Sequence, residues 1–185
     1  MDWKSINLNI VKAMLSNKQV AKSFYSLGGE SHSHIEGVDD EEQHRKNTSY
    51  IFVSVPGKST NLRHVGYFFS HDAPMIFDHS KISLEISTKS MHRIFNNSIL
   101  FDYDCELMET DELCIFNKKG GIARKFLNSK GMQTWINAEY LKDLGKGEHV
   151  FFQDSKNHLS AVIVTENNKL VKLIMPICMD KEYSF

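Results

Sequence analysis

The stretch from Met132 to Met179 constrains this chain most, because strand and helix signals follow one another there with almost no slack. Met132–Ile136 and Leu170–Met175 mix alternating and continuous apolar residues, the pattern of strands half-buried in a sheet. Ala138–Leu144 brings Tyr140, Leu141 and Leu144 to one side, as a short helix does, and Gly145 and Gly147 end it. His149–Gln153 and Leu159–Thr165 read as further strands, and Glu166-Asn167-Asn168-Lys169 joins the last two as a hairpin link. The pattern predicts a βαβββ unit.

Displaced by about fifty residues, the chain matches itself, the mark of tandem units. Ile86 falls on Ile136, Met91 on Leu141, Ile94 on Leu144, Phe101 on Phe151 and Asp104 on Asp154, and Leu113, Cys114 and Asn117 fall on Ile163, Val164 and Asn167. The expected fold is α+β: tandem βαβββ units over residues 80–180, helices on one face and antiparallel sheets on the other, preceded by a helix-plus-strands region over 1–79. Within that region Ser5–Ile10 alternates as a strand and Val11–Tyr25 follows as a helix. INLNIVKAM resembles ISLEISTKSM at 82–91, so residues 1–79 read as a degenerate third unit interrupted by a loop at 27–47. Tyr50–Val55 is an apolar strand stopped by Pro56-Gly57, Val65–Phe69 a second and Met75–Phe77 a short third, with Pro56–Asn61 as a hairpin loop. Lys118–Gly121 reads as a tight turn, and 181–185 as a frayed polar tail.

A strand, then Asn137, Tyr140, Leu141 and Asp143 opening a short helix, then a hairpin closing on Leu173, Ile174, Met175, Pro176 and Ile177, resembles the last domain of bacterial DNA polymerase sliding clamps. The copy ISLEISTKSMHRIF looks like the other half of such a domain, so the resemblance covers about residues 80–180. The chain is far shorter than a bacterial clamp subunit and its expected helices are short. The resemblance implies a non-enzymatic protein that encircles or sits on duplex DNA, tethers a polymerase or other DNA-processing protein, and needs no cofactor; the alternative is a phage- or plasmid-type interaction module without DNA, a clamp mimic or host-factor binder. It also implies a partner-docking groove, which by position would use Leu173, Met175, Pro176, Ile177 and Met179. The bland reading of Leu173 and Met175 is a buried terminal strand.

Charge bears on this reading. A net charge of −1 and a pI near 6.7 exclude a wholesale basic nucleic-acid binder but not a local basic face. Lys12, Lys18 and Lys22 fall on the first expected helix, Lys89, His92 and Arg93 on the second, and Lys142 and Lys146 on or just beyond the third. On one shared face they would neutralise phosphates without reading sequence. Glu139 and Asp143 dilute that face, and solvated lysines are the alternative.

Other chemistry is sparse. No GxSxG, Walker loop, GxGxxG, HExxH or paired CxxC occurs. Leu27–Asn47 holds three glycines, six acids and three histidines and almost no apolar residues, the composition of a solvated loop. His32, His34 and His44 with Glu36, Asp39 and Asp40 could instead ligate zinc or manganese in a small hydrolase. His64, His71 and His79 near Asp72 and Asp78 could do acid–base work, but histidines at strand ends are more often structural. Glu109, Asp111 and Glu112 read as a solvated hairpin tip, and Gly120-Gly121 as a turn and not a phosphate cradle. Cys105, Cys114 and Cys178 form neither a disulfide framework nor a zinc site and suit a reducing compartment. With no signal-peptide pattern and no run near the ~18–20 apolar residues of a membrane span, the expectation is a cytoplasmic protein without a membrane partner. Open strand edges at the ends of partial clamp units predict a homo-oligomer.

Overall fold

The computed structural model describes residues 1–16, 18, 20–26, 49–56, 63–70, 72–82, 84–85, 106–167 and 169–179. It is an α+β protein in which one α-helix, α1 (Trp3–Leu15), packs on a large, mainly antiparallel sheet. The strands are β1 (Ala21–Ser26), β2 (Ser49–Pro56), β3 (Arg63–Ser70), β4 (Leu84–Glu85), β5 (Glu106–Ile115), β6 (Ile122–Asn128), β7 (Gln133–Asn137), β8 (His149–Phe152), β9 (Val162–Glu166) and β10 (Lys169–Ile174). Their order in the sheet is β4-β1-β2-β3-β10-β9-β8-β5-β6-β7, and β4 joins β1 in the one parallel pairing among them.

The N-terminus corrects the sequence reading. Ser5–Ile10 is not a strand but the middle of α1, and the helix ends at Leu15, well short of Tyr25. Ile6 and Ile10 satisfy strand alternation and helical i, i+4 spacing alike, and burial decides between them. Ile6, Asn7, Ile10 and Ala13 are buried while Leu8 stands exposed, which is a helical face. The Asp2 side chain caps the helix, accepting from the Ser5 amide at 3.1 Å. Asn7 then fixes it sideways. Its amide donates to Trp3 O (2.7 Å) and Pro74 O (2.9 Å), and its carbonyl accepts from Ile76 N (3.0 Å). That clamp explains why Met75–Phe77 is not the short strand expected: its backbone bonds to a helix side chain and not to a sheet neighbour. With α1 at its head, the N-terminal region also lacks, among the described residues, the leading strand of a βαβββ unit.

The C-terminal stretch keeps the expected order of strand, helical turn and three antiparallel strands. The helix, however, shrinks to a 3-10 turn at Ala138–Tyr140 capped by Asn137, followed by turns to Gly145, whose φ of +77° stops it. β5 and β6 form a hairpin, as β9 and β10 do. Yet β7 pairs with β6 whereas β4 joins β1, so the two leading strands of the expected copies are not equivalently placed. The first copy's expected helix lies outside the described residues, as do the histidine-bearing stretch 27–47 and the tail 181–185.

Residues 1–79 and 80–180 share one sheet, because β10 is inserted between β3 and β9. On one face, Val53, Val65, Tyr67 and Phe69 pack against Ile6, Ile10 and Ala13 of α1, with Trp3 5.0 Å from Phe69 between ring centroids. On the other, Tyr50, Phe52 and Phe68 pack with Ile163, Leu170 and Leu173. Each such fully buried side chain contributes about 1.5–3 kcal/mol relative to exposure. Phe52 lies flat over Gly66, where a Cβ would sit 2.1 Å from its Cζ, so only glycine fits beneath the ring. Past β10 the chain returns to the far edge of the sheet. The Ile177 amide donates to Trp135 O at 2.8 Å, so β10-β9-β8-β5-β6-β7 curl, barrel-like, around Leu107, Phe126, Ile136, Val162, Val164 and Ile174.

Candidate interaction surface

Phe116 donates its amide to Gly121 O (2.9 Å), and Asn117 Oδ1 accepts from the amides of Lys119 and Gly121, so 117–120 is the tip of the β5–β6 hairpin, with Gly120 at φ +74°. The expected tight turn is therefore present. The acids are not at the tip. Glu109, Asp111 and Glu112 lie in the body of β5, at a bulge between Glu109 and Leu113. The Thr110 hydroxyl donates to Lys125 O and accepts from the Glu112 amide across that bulge, both at 3.2 Å. Glu109 pairs with Arg124, and Glu112 with Lys125 at 2.8 Å, so β6 answers two of the three acids.

Two features make this ribbon stand out. First, β5 is longer than its other neighbour can cover. β8 pairs with it only at Glu106 and Leu107, so from Met108 to Ile115 the outer edge of β5 has no strand beside it among the described residues. Hydrogen-bonded positions alternate in an antiparallel pair. Because Phe116 is bonded to β6, Cys114 also faces β6, and the backbone groups of Leu113 and Ile115 point to the open edge. Second, the side chains beside that edge are apolar and exposed: Met108 60%, Leu113 61%, Ile115 60% and Ile122 46%. Leu113 and Ile115 share a face, and Ile122 sits directly opposite Ile115. Bare backbone beside exposed apolar side chains is the composition of an interaction surface.

The expected basic face is only partly assembled. Lys12 and Lys18 are exposed, near and just beyond the end of α1, Lys146 is exposed after the helical turn, and Lys142 is exposed but pairs with Glu139. Lys22 is half-buried on β1 and not on a helix. The head of α1 abuts the turn, the Asp2 amide donating to Asp143 O at 2.8 Å, so both lie on one side of the sheet. Lys89, His92 and Arg93 lie outside the described residues. Of the expected docking residues, Leu173 is core and Met175 packs against the same cluster, while Pro176, Ile177 and Met179 are half-buried. Asp72 is held by Lys169 and Ser70, and Asp78 caps the 3-10 turn at His79–Lys81, so neither is poised for acid–base work. Lys169 and Ser70 bonds hold the Asp72 carboxyl well below the usual carboxylate range. Among the described residues no three His, Cys, Asp or Glu side chains group as a metal site, and no helix is long and apolar enough to cross a membrane.

Sequence reasoning missed the most unusual cluster. Lys172, in the centre of β10, is fully buried, and its ammonium bonds Asp143 and Tyr140 O and lies 5.2 Å from the Tyr67 ring centroid. Tyr67 completes the set by donating its hydroxyl to Asp143 Oδ2 at 2.7 Å. Burial pushes the Lys172 ammonium down against the opposing pull of Asp143, and burial with Asp143 beside it pushes the Tyr67 hydroxyl up. A lysine at the centre of the apolar run KLVKLI was the available signal. The cluster ties β3, β10 and the 138–144 turn together, and its polar groups satisfy one another. Set against known protein families, curated proteins and solved structures, the chain shows no match.

Proposed function

We propose that this chain is a non-enzymatic binding protein that holds its partner along the open edge of β5, the partner adding a strand to the β5–β6 ribbon. One observation carries this reading: the backbone edge at Leu113 and Ile115, which has no strand beside it among the described residues, coincides with the exposed apolar side chains of Leu113, Ile115 and Ile122. Main-chain bonds would supply affinity and the alternate side chains selectivity, as in other strand-addition complexes. The buried polar groups described above are engaged in holding the fold, which supports binding over catalysis. Photo-crosslinking tests it. A photoreactive amino acid at Leu113 or Ile115, in cells making the protein, should yield a discrete adduct that the same probe at exposed Ser129 does not. An absence of adducts at both ribbon positions would refute the reading.

A second reading keeps the clamp-like expectation of a duplex-DNA tether for a polymerase or other DNA enzyme. What favours it is that α1 and the 138–146 turn lie on one side of the sheet with Lys12, Lys18, Lys142 and Lys146 exposed. Fluorescence anisotropy with a labelled duplex at about 50 mM salt, where phosphate contacts are strongest, is the assay. Binding that weakens with added salt and is lost when the four lysines become Glu supports the tether. No binding at low salt ends it.

A further inference from the structure

We infer that the strand added to β5 is β5 of a second copy of this chain, paired antiparallel about Cys114; this rests on the strand-addition reading above. The backbone groups of Leu113 and Ile115 point to the open edge, so these two residues must form the hydrogen-bonded pairs with an incoming strand. Pairing about Cys114 sets Leu113 opposite Ile115 of the second copy and Ile115 opposite its Leu113. Both bonded positions are then satisfied at once, as a two-fold contact requires.

The side chains select the same register. A row would run Ile122, Ile115, then Leu113 and Arg124 of the second copy, and the two-fold axis repeats it in reverse, covering the exposed Leu113, Ile115 and Ile122. Charge excludes a register centred among the acids. Pairing about Asp111 would set Asp111 against itself, and like charges directly opposite one another destabilise a sheet. Pairing about Cys114 carries Glu112 to Phe116 and Asp111 to Asn117 of the second copy, away from every acid of β5. The contact is short, so the dimer forms at high protein concentration and dissociates on dilution.

Cys114 supplies a direct readout. At the centre of the register it faces its own copy in a non-hydrogen-bonded pair, where Cα atoms approach to about 4.5 Å, inside the range a disulfide spans. The experiment is sedimentation velocity over a dilution series of the purified chain, with a cross-linking arm. In the latter, Cys105 and Cys178 are changed to Ser and oxidised glutathione is the oxidant, two thiols giving one disulfide and two reduced glutathiones. The expected mass rises from 21.3 kDa towards twice that with concentration, and Cys114 forms a covalent dimer. Leu113→Pro removes an amide that faces the open edge and leaves the bonds to β6 intact, and Ile115→Lys alters an exposed side chain. Both should stay folded by circular dichroism and remain monomeric. A dimer that persists in both variants, or a chain that stays monomeric at every concentration, overturns the inference. In the monomeric case a photo-adduct whose mass is not twice that of the chain would leave the strand-addition reading standing with a different partner, and no adduct would remove both.

Discussion

Removing the Asp143 carboxylate tests the physics of this core most directly. In Asp143→Ala the ammonium of Lys172, fully buried, keeps only Tyr140 O and the face of Tyr67, and the Tyr67 hydroxyl loses its acceptor. Breaking one side of a buried ion pair costs about 3–5 kcal/mol, and an orphaned hydroxyl about 1–3 kcal/mol. The two are not additive, because both groups lean on the same carboxylate and relax together once it is gone. A net destabilisation of about 3–5 kcal/mol follows, and for a chain of this size each kcal/mol lowers Tm by about 2–4 °C. Two further measurements separate a lost charge partner from mere loss of packing. The double variant Asp143→Ala, Lys172→Met should recover most of the stability, since replacing both partners by apolar groups removes the stranded charge. The deficit of the single variant should also shrink as pH rises from neutral, because the stranded lysine can shed its proton. Urea unfolding at several pH values is the assay. A single variant within about 1 kcal/mol of wild type, or a double variant worse than the single one, would refute the reasoning.

Gly66→Ala places a methyl group against the buried Phe52 ring and should cost about 1–3 kcal/mol by urea unfolding, and a neutral result would mean the ring is free to move. Asn7→Ala leaves the Pro74 carbonyl and the Ile76 amide without their partner and should cost about 1–3 kcal/mol, with faster hydrogen exchange at Ile76 as its signature. Alkaline stability should pass through a maximum near pH 10. Folded Lys172 binds fewer protons than the unfolded chain just below its ordinary value of 10.5, so its share of stability grows with pH there. Folded Tyr67 keeps its proton above its ordinary value of 10.0, so its share is lost as pH climbs further. A urea midpoint falling steadily from pH 8 to 10, or the same profile in Lys172→Met, would count against this account.

Which parts of the fold were legible in the sequence follows from how many signals agreed. β2, β3 and β8 to β10 are continuous apolar runs bounded by turn residues, and their places along the chain could be read to within a few residues. α1 failed because Ile6 and Ile10 fit two periodicities, and the buried partner that decides between them, Asn7 against Pro74, is non-local. The 138–144 helix failed for a related reason. Tyr140 and Leu141 do turn inward, but a 3-10 turn achieves that without a helix. The acids of β5 were misplaced because a bulge has no sequence signature comparable to a glycine turn. For the ribbon, local pattern could not show that β8 stops short of Met108, because the length of a neighbour is a property of the folded sheet.

The position of β10 has a consequence for how this chain reaches its fold. β10, the last of the described strands, lies between β3 and β9, so the edge of β3 waits for a partner until residue 174 has been made. Contacts separated by a hundred residues close late, since the loop must be ordered before its pairing returns any stabilisation. During that interval Tyr50, Phe52 and Phe68, which pack with Leu170 and Leu173 of β10, form a half-built hydrophobic surface beside an unpaired strand, the kind of transient edge that captures other nascent chains. Truncation before Lys169 should therefore yield aggregated protein and not a smaller folded one.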